Sequence, residues 1–188
     1  MTTRAVVLIG PMGAGKTSIG RKLAKTLGVR FFDTDIAIAR EHGPIPEIFV
    51  HEGEPRFREL ERAAVQEALG TDGIVALGGG AVLHPDTRAD LARHPVVLLT
   101  VDAHTVAGRI RDTNRPLLQG ADALAQWERV AAERSALYAQ LADVTFDTSR
   151  GRIRDIVDRA SAWVRTQWDT QNGDSAASRT EPQPGGMA

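Results

Sequence analysis

Residues 10–17 read GPMGAGKT, and this octet constrains the fold of the chain more than any other segment. The pattern G-x-x-x-x-G-K-T is typical of a phosphate-binding loop, because glycines allow successive backbone N–H groups to turn toward an anion. Lys16 supplies a positive charge for the β- and γ-phosphates, and the Thr17 hydroxyl is placed to bind Mg²⁺. We therefore predict a nucleotide phosphate site made of Met12, Gly13, Ala14, Gly15, Lys16, Thr17 and Ser18.

The segments on either side of the octet have the structure that such a loop requires. Residues 4–9 form a short apolar, β-branched run, which indicates a buried parallel strand. After the loop, apolar residues recur at helical spacing and Gly28 follows as a stop signal, the apolar positions being Ile19, Leu23, Ala24 and Leu27. The alternative to a phosphate-binding loop is a glycine turn that binds nothing. Such a turn would not need a strand before it and a helix after it.

The composition excludes several classes of protein. The 188 residues are 42% hydrophobic and include no cysteine, which excludes disulfides, thiolate catalysis and cysteine-bound zinc. A net charge of −1 gives no overall positive field for nucleic acid. The N-terminus does not resemble a signal peptide, and no segment approaches the ~20 apolar residues of a membrane span. We expect a cytoplasmic monomer that binds neither nucleic acid nor membranes.

Strand-like and helical segments alternate along the chain. This alternation predicts a three-layer α/β fold, in which a five-stranded parallel sheet lies between two layers of helices. The expected strands are residues 4–9, 29–32, 73–77, 95–101 and 144–146. Two polar stretches interrupt this alternation and predict a small substrate-binding subdomain at about 34–60 and a lid at about 111–124. We predict one domain over residues 1–168 and a disordered tail over 169–188, which is rich in Ser, Gly and Pro.

Two carboxylates follow the second expected strand, in the sequence Asp33-Thr34-Asp35. At the carboxyl end of a strand, residues two apart point the same way, here toward the crevice that the phosphate-binding loop also faces. Phosphoryl transfer needs one acid near Mg²⁺ and one group that orients the attacking hydroxyl. Asp33 suits the first role and Asp35 the second. Alternatively, one of them caps the next helix.

Glycines and arginines mark a second group of candidate residues. Gly78, Gly79 and Gly80 follow the third expected strand, where the backbone can approach a ligand closely and donate N–H groups to it, although a plain tight turn is the alternative. Guanidinium groups bind carboxylate or phosphate in a forked manner. The loop arginines therefore indicate an anionic substrate, although each could instead form a salt bridge within a helix, and they are Arg58, Arg115 and Arg134.

Taken together, the segments GPMGAGKT, DTD, GEPRFRELE, LGGGAV, NRPLL and ERSALY resemble the shikimate kinase family. They occur in the order and near the spacing of that family, from about residue 4 to residue 168. The resemblance implies a nucleoside-monophosphate-kinase-like fold and the ligands ATP, Mg²⁺ and shikimate. It also implies a role in chorismate and aromatic amino-acid biosynthesis.

The resemblance also implies roles for single residues in acceptor binding. It assigns the ring hydroxyls of shikimate to Asp35 and the carboxylate mainly to Arg58 and Arg134, with a backbone contact from Gly79.

For the nucleotide, the resemblance implies that Arg115 contacts the phosphates when the lid closes. Thr17 falls on the magnesium position, and Asp33 would act through water. Adenine contacts would come from Arg109 or Arg111 and from the loop after the fifth strand, where Arg150 and Arg152 are the candidates.

The sequence thus predicts a kinase that transfers the γ-phosphoryl group of ATP to the 3-hydroxyl of shikimate, with Lys16, Asp33, Asp35 and Arg115 in the catalytic centre. One alternative is another small-molecule kinase of the same fold, acting on gluconate or a nucleotide. The other is a kinase-like module that binds nucleotide without catalysis.

Overall fold

The computed structural model describes residues 4–110 and 123–177. Its five strands all pair in parallel, in the order β2-β3-β1-β4-β5. They are β1 (Val6–Ile9), β2 (Phe31–Asp33), β3 (Ile74–Ala76), β4 (Val96–Thr100) and β5 (Val144–Asp147). The predicted five-stranded parallel sheet is confirmed. Because β1 lies in the centre, the phosphate-binding loop that follows it lies in the middle of the carboxyl edge, where ligands bind in this class of sheet.

Helices surround the sheet in the described part of the chain. They are α1 (Lys16–Leu27), α2 (Thr34–His42), α3 (Ile45–His51), α4 (Gly53–Leu69), α5 (Pro85–Leu91), α6 (Ala103–Ile110), α7 (Ala123–Leu141) and α8 (Ile153–Ala177), with a single 3₁₀ turn at Ala81–Leu83. Within residues 4–110 and 123–177, none of these helices has an apolar stretch long enough for a bilayer span.

The alternation of side chains along the strands produces the three layers. Val6 and Leu8 of β1 point to one face of the sheet and pack with residues of α1 and α8. Val7 and Ile9 point to the opposite face and pack with residues of α4 and α5. All four side chains are at most 1% exposed, so β1 is buried on both faces as a central parallel strand should be.

The region predicted as a substrate subdomain contains two short helices, α2 and α3, and the start of α4. They share a separate small apolar core, formed by Ile38, Ile48, Phe57, Leu60 and Ala64. Gly43 ends α2, and Pro46 lies in the first turn of α3, where a missing N–H costs no helical hydrogen bond. The glycine and prolines that interrupt the sequence pattern therefore separate two helices. The limits 34–60 stay a prediction.

The predicted tail differs from the structure over its first nine residues, because α8 continues through Ala177. A helix on the surface does not need an apolar stripe along its whole length, and residues 169–177 contain no proline that would end it. The Trp168 indole N–H also donates to the Arg4 carbonyl at 3.2 Å, which fixes α8 to the N-terminal segment. Residues 178–188 and the predicted lid residues 111–122 lie outside the described residues.

Packing between α1 and the sheet depends on the absence of a side chain at Gly20. A β-carbon placed there would lie 2.5 Å from Cε2 of Phe31 and 3.0 Å from Cδ1 of Leu8. We expect Gly20→Ala to lower the free energy of unfolding by about 1–3 kcal/mol, because overpacking forces these core side chains to shift. Urea unfolding would measure the change.

Gly108 provides the matched control, since it lies in α6 and a methyl group placed on it would have nothing within 4 Å. Gly108→Ala should raise the free energy of unfolding by about 0.5–1 kcal/mol through helix propensity alone. Equal effects of the two substitutions would contradict the packing argument.

Candidate active site

The phosphate-binding loop has the backbone conformation that its glycines predict. Gly10, Gly13 and Gly15 have φ values of 135°, 82° and 86°, which side-chain-bearing residues rarely adopt. A β-carbon on Gly10 would also collide with the Leu99 carbonyl oxygen of β4. The loop therefore requires glycine here both for its conformation and for its close approach to the sheet.

Lys16 contacts the beginning of the same loop. Its Nζ lies 2.7 Å from the Gly10 carbonyl oxygen and 3.0 Å from that of Pro11. The Ala14 N–H donates back to the Pro11 carbonyl at 3.3 Å and closes a turn. The ammonium group of Lys16 thus lies beside the phosphate-binding loop, as the motif predicts.

The next three carbonyl groups of the loop each accept a hydrogen bond from a side chain of the C-terminal half. The bonds run from the Trp127 indole to Met12 at 2.8 Å, from the Arg109 guanidinium to Gly13 at 2.7 Å, and from the Thr148 hydroxyl to Ala14 at 3.0 Å. In a trans peptide the following N–H points the opposite way. The N–H groups of Gly13 and Gly15 therefore face away from these donors, toward the side where an anion would bind.

Asp33 links this loop to α2. Its Oδ2 accepts a hydrogen bond from the Thr17 hydroxyl at 2.7 Å, and its Oδ1 accepts one from the Ile36 N–H at 3.1 Å, which caps α2. The expectation for Asp33 and Asp35 assumed an extended strand through both residues, whereas the chain enters α2 at Thr34. The alternative of a helix cap applies to Asp33. Asp35 lies in the first helical turn.

A cavity of about 290 Å³ opens between the phosphate-binding loop, α2 to α4 and α7. Its polar wall includes three residues predicted from the sequence, and these are Asp35, Arg58 and Arg134. Apolar side chains complete the wall, among them Met12, Ile45, Phe49, Phe57 and Trp127. The structure thus brings one carboxylate and two guanidinium groups from three helices together beside the loop.

The glycine turn after β3 forms part of the same wall. A β-carbon on Gly80 would collide with the guanidinium of Arg58, and one on Gly78 would lie 2.5 Å from Oδ1 of Asp35. Gly79 and Gly80 line the cavity. The N–H of Gly78, however, donates to the Thr34 hydroxyl at 2.9 Å. Gly78 therefore does not donate to a ligand as predicted, and its role is to let acidic side chains approach the turn.

Glu61 is a buried partner of Arg58. It is 4% exposed, and its Oε2 lies 2.7 Å from Nη1 of Arg58, while Glu54 binds the same guanidinium at 2.8 Å. Burial raises the pKa of Glu61; the adjacent Arg58 charge opposes this shift, and the negative charge of Asp35 adds to it. The alternative of helix salt bridges for Arg58 is therefore correct, and the same side chain also lines the cavity.

A shikimate kinase family model matches residues 12–165, which is most of the chain. The shikimate kinase of Halorhodospira halophila is 48% identical over 162 residues, covering 84% of this chain and 92% of the relative. That of Thermobifida fusca is 51% identical over 146 residues, covering 76% and 84%. The structure of the Acinetobacter baumannii shikimate kinase in complex with shikimate matches with a TM-score of 0.82, 37% identity, and 88% and 95% coverage.

The chain belongs to the shikimate kinase family. The resemblance carried by six short segments is thereby confirmed, and so is the fold class that it implied. Shikimate kinases are ATP-dependent phosphotransferases.

The arginines predicted for the nucleotide end of this shikimate kinase site lie in different places. Arg109 lies at the loop, where it binds the Gly13 carbonyl and, at 3.1 Å, the Thr148 carbonyl. Arg150 is exposed in the turn after β5. Arg111 and Arg115 lie outside the described residues, so their roles stay predictions.

Several residues of the site were not predicted from the sequence, and Thr148 at the phosphate-binding loop is one of them. Glu61 could have been found, because it follows Arg58 by three residues on a helix and such pairs are adjacent. Tyr138 donates to the Gly79 carbonyl at 2.6 Å, beside Arg134 at 3.0 Å. Trp127 is 115 residues from its partner Met12, and no local pattern indicates that contact.

The raised pKa of Glu61 predicts a specific pH dependence. Between the unfolded and the folded pKa, the folded state binds more protons than the unfolded state, so this group lowers stability as pH rises through that range. Glu61→Gln removes the titration. We expect the unfolding free energy of the variant minus that of the wild type to increase from about pH 4 to about pH 7, measured by urea unfolding.

Glu54→Gln is the control, because Glu54 binds the same guanidinium but its side chain is 56% exposed. This variant removes one exposed partner of Arg58 and keeps the buried carboxylate of Glu61. A Glu61→Gln curve parallel to the wild-type curve would contradict the assignment of the buried titration.

Proposed function

We propose that this protein catalyses transfer of the γ-phosphoryl group of ATP to the 3-hydroxyl group of shikimate, giving 3-phosphoshikimate and ADP in aromatic amino-acid biosynthesis. The observation that carries the proposal is the juxtaposition of Asp35, Arg58 and Arg134 in one cavity beside the phosphate-binding loop. Membership of the family, and a relative whose structure contains shikimate, support the choice of acceptor.

The cavity suits a small hydroxylated ring acid. Arg58 uses three N–H groups on Glu54 and Glu61, and a guanidinium has five, so it retains donors for a carboxylate. Arg134 would bind the same carboxylate while it contacts the Gly79 carbonyl. Asp35 would accept hydrogen bonds from the ring hydroxyls. The acid end would then be fixed and the 3-hydroxyl directed toward the nucleotide.

The phosphoryl transfer follows from this placement. The 3-oxygen of shikimate forms a bond to the γ-phosphorus of ATP, the bond from that phosphorus to the β,γ-bridging oxygen breaks, and Asp35 accepts the hydroxyl proton. Lys16 and the loop N–H groups stabilise charge on the phosphates, and Arg115 would add a further cation. Positioning the two reactants in line provides much of the rate enhancement.

Thr17 and Asp33 are the residues that would bind Mg²⁺. A hydroxyl and a carboxylate oxygen lie 2.7 Å apart beside the phosphate cradle. Within the described ranges no group of three or more His, Asp or Glu side chains forms a metal cluster. This donor set fits Mg²⁺, which commonly binds one or two protein oxygens together with substrate phosphates and water. When bound, the ion neutralises phosphate charge.

The adenine end of the nucleotide would lie near α6 and the turn after β5. We propose that the base is contacted by Arg109 or Arg111 and by Arg150. We also propose that the enzyme acts as a cytoplasmic monomer.

An assay of ADP release, with shikimate, gluconate and nucleoside monophosphates offered separately, tests the function. Release of ADP in the presence of shikimate, but not with gluconate or a nucleoside monophosphate, supports the proposal. Release with gluconate or a nucleotide would support another small-molecule kinase, and no release with any acceptor, from a protein that binds ATP, would support a non-catalytic module.

Asp35→Asn should lower kcat by at least about 100-fold, because general-base and orienting groups contribute factors of this size. The protein should stay folded, since Asp33 rather than Asp35 caps α2. Steady-state kinetics and circular dichroism measure the two effects. Asp155→Asn, in the first turn of α8, is the control. Near-normal turnover of the Asp35 variant would remove Asp35 from the role of base.

Arg58→Lys should raise the KM for shikimate by more than about tenfold and leave the KM for ATP within about twofold, because an ammonium cannot make the forked contact. Arg56→Lys is the matched control on the same helix, since Arg56 pairs with Glu52 and Glu59 at the surface. Equal increases in the two KM values would argue against a specific role for Arg58 in acceptor binding.

A further inference from the structure

Trp127 contacts both regions of the active site. Its indole N–H donates to the Met12 carbonyl of the phosphate-binding loop at 2.8 Å, and its ring forms part of the acceptor cavity. The side chain is 6% exposed and also packs in the core between the sheet and the helices α1 and α8. The ring is therefore fixed by packing, and its N–H has a defined direction.

Other residues of α7 bind the second glycine-rich segment. Arg134 and Tyr138 donate to the Gly79 carbonyl, and they follow Trp127 by seven and eleven residues, which places all three on one face of the helix. A methyl group built on Gly79 would lie 3.8 Å from the Met12 amide nitrogen. One helix face thus binds two loops that lie directly beside each other.

The three side chains that bind carbonyls 12–14 differ in whether they also line the acceptor cavity. Thr148 is buried and also binds the Thr100 carbonyl of β4, and Arg109 is exposed at the nucleotide side. Of the three, Trp127 is the one that lines the acceptor cavity. The orientation of the Met12–Gly13 peptide therefore depends on a residue outside the nucleotide region.

We propose that Trp127 is a positioning residue for nucleotide binding. The hydrogen bond from its indole N–H keeps the Met12 carbonyl pointing toward the indole. The N–H of Gly13, on the opposite side of the same peptide, then points toward the phosphates. Without that hydrogen bond the peptide can rotate, and nucleotide binding must order it. The proposal rests on the proposed function only for the identity of the acceptor, because binding of ADP can be measured without one.

Trp127→Phe tests the proposal, since phenylalanine keeps an aromatic ring at the cavity wall and removes the N–H donor. Calorimetry in the absence of shikimate should show ADP affinity lowered by a factor of about three to ten, the usual effect of losing one hydrogen bond. The affinity for shikimate should fall by a smaller factor than the affinity for ADP, because phenylalanine keeps an aromatic ring at the cavity wall.

Trp163→Phe is the matched control, because Trp163 lies on α8 and packs against the same core. It should leave ADP affinity unchanged. Wild-type ADP affinity in the Trp127 variant would overturn the proposal, and so would an equal loss of ADP and shikimate affinity, which would indicate general disruption. The proposed function fails separately, if the wild type binds ADP but does not phosphorylate shikimate.

A second measurement uses native Trp127. The chain has three tryptophans, so the double variant Trp163→Phe, Trp168→Phe emits from Trp127 alone. Addition of ADP without shikimate should change the intensity or the wavelength of this emission, because the phosphates bring negative charge close to the Met12–Gly13 peptide that the indole binds. Emission that responds to shikimate and not to ADP would overturn the proposal.

Discussion

The active site depends on five consecutive carbonyl groups, at residues 10–14, that are all bound by side chains. A hydrogen bond of this kind contributes about 0.5–1.5 kcal/mol, so together these bonds favour one orientation for each peptide of the loop. The donors come from α1, α6, α7 and the segment after β5. The shape of a local sequence motif is therefore maintained by elements that follow it by up to 134 residues.

The acceptor cavity is organised by a different principle, the pairing of charges inside the protein. Burial of Glu61 has a desolvation cost, which its bond to Arg58 offsets in part, since the pKa of Glu61 stays raised. Because Glu54 binds the other side of the guanidinium, Arg58 is held in one orientation before any ligand enters. Folding therefore already restricts the Arg58 side chain. Ligand binding then costs less side-chain entropy than it would with a flexible arginine. The close packing of this network needs glycine at position 80.

The sequence was sufficient to predict the features that depend on local patterns. The alternation of strand-like and helical segments indicated the parallel sheet, and the spacing of the glycines and Lys16 indicated the phosphate-binding loop. Asp33 shows the limit of that reasoning, because a strand that turns into a helix one residue later no longer has a period of two. Trp127 and Thr148 were missed for another reason, since each binds a carbonyl more than 100 residues away in the chain. Only the parallel sheet brings those segments together.

The proposed reaction places two anions side by side, although the chain carries a net charge of only −1. The structure divides the local cations between them. Lys16 and the N-terminus of α1 lie at the phosphate-binding loop, while Arg58 and Arg134 line the cavity beside it. Asp35 and Glu61 stand within the arginine set, so the acceptor wall is closer to neutral than its guanidinium groups suggest. A carboxylate can then bind there without drawing the triphosphate away from its own cradle, and in-line transfer between two anions becomes possible.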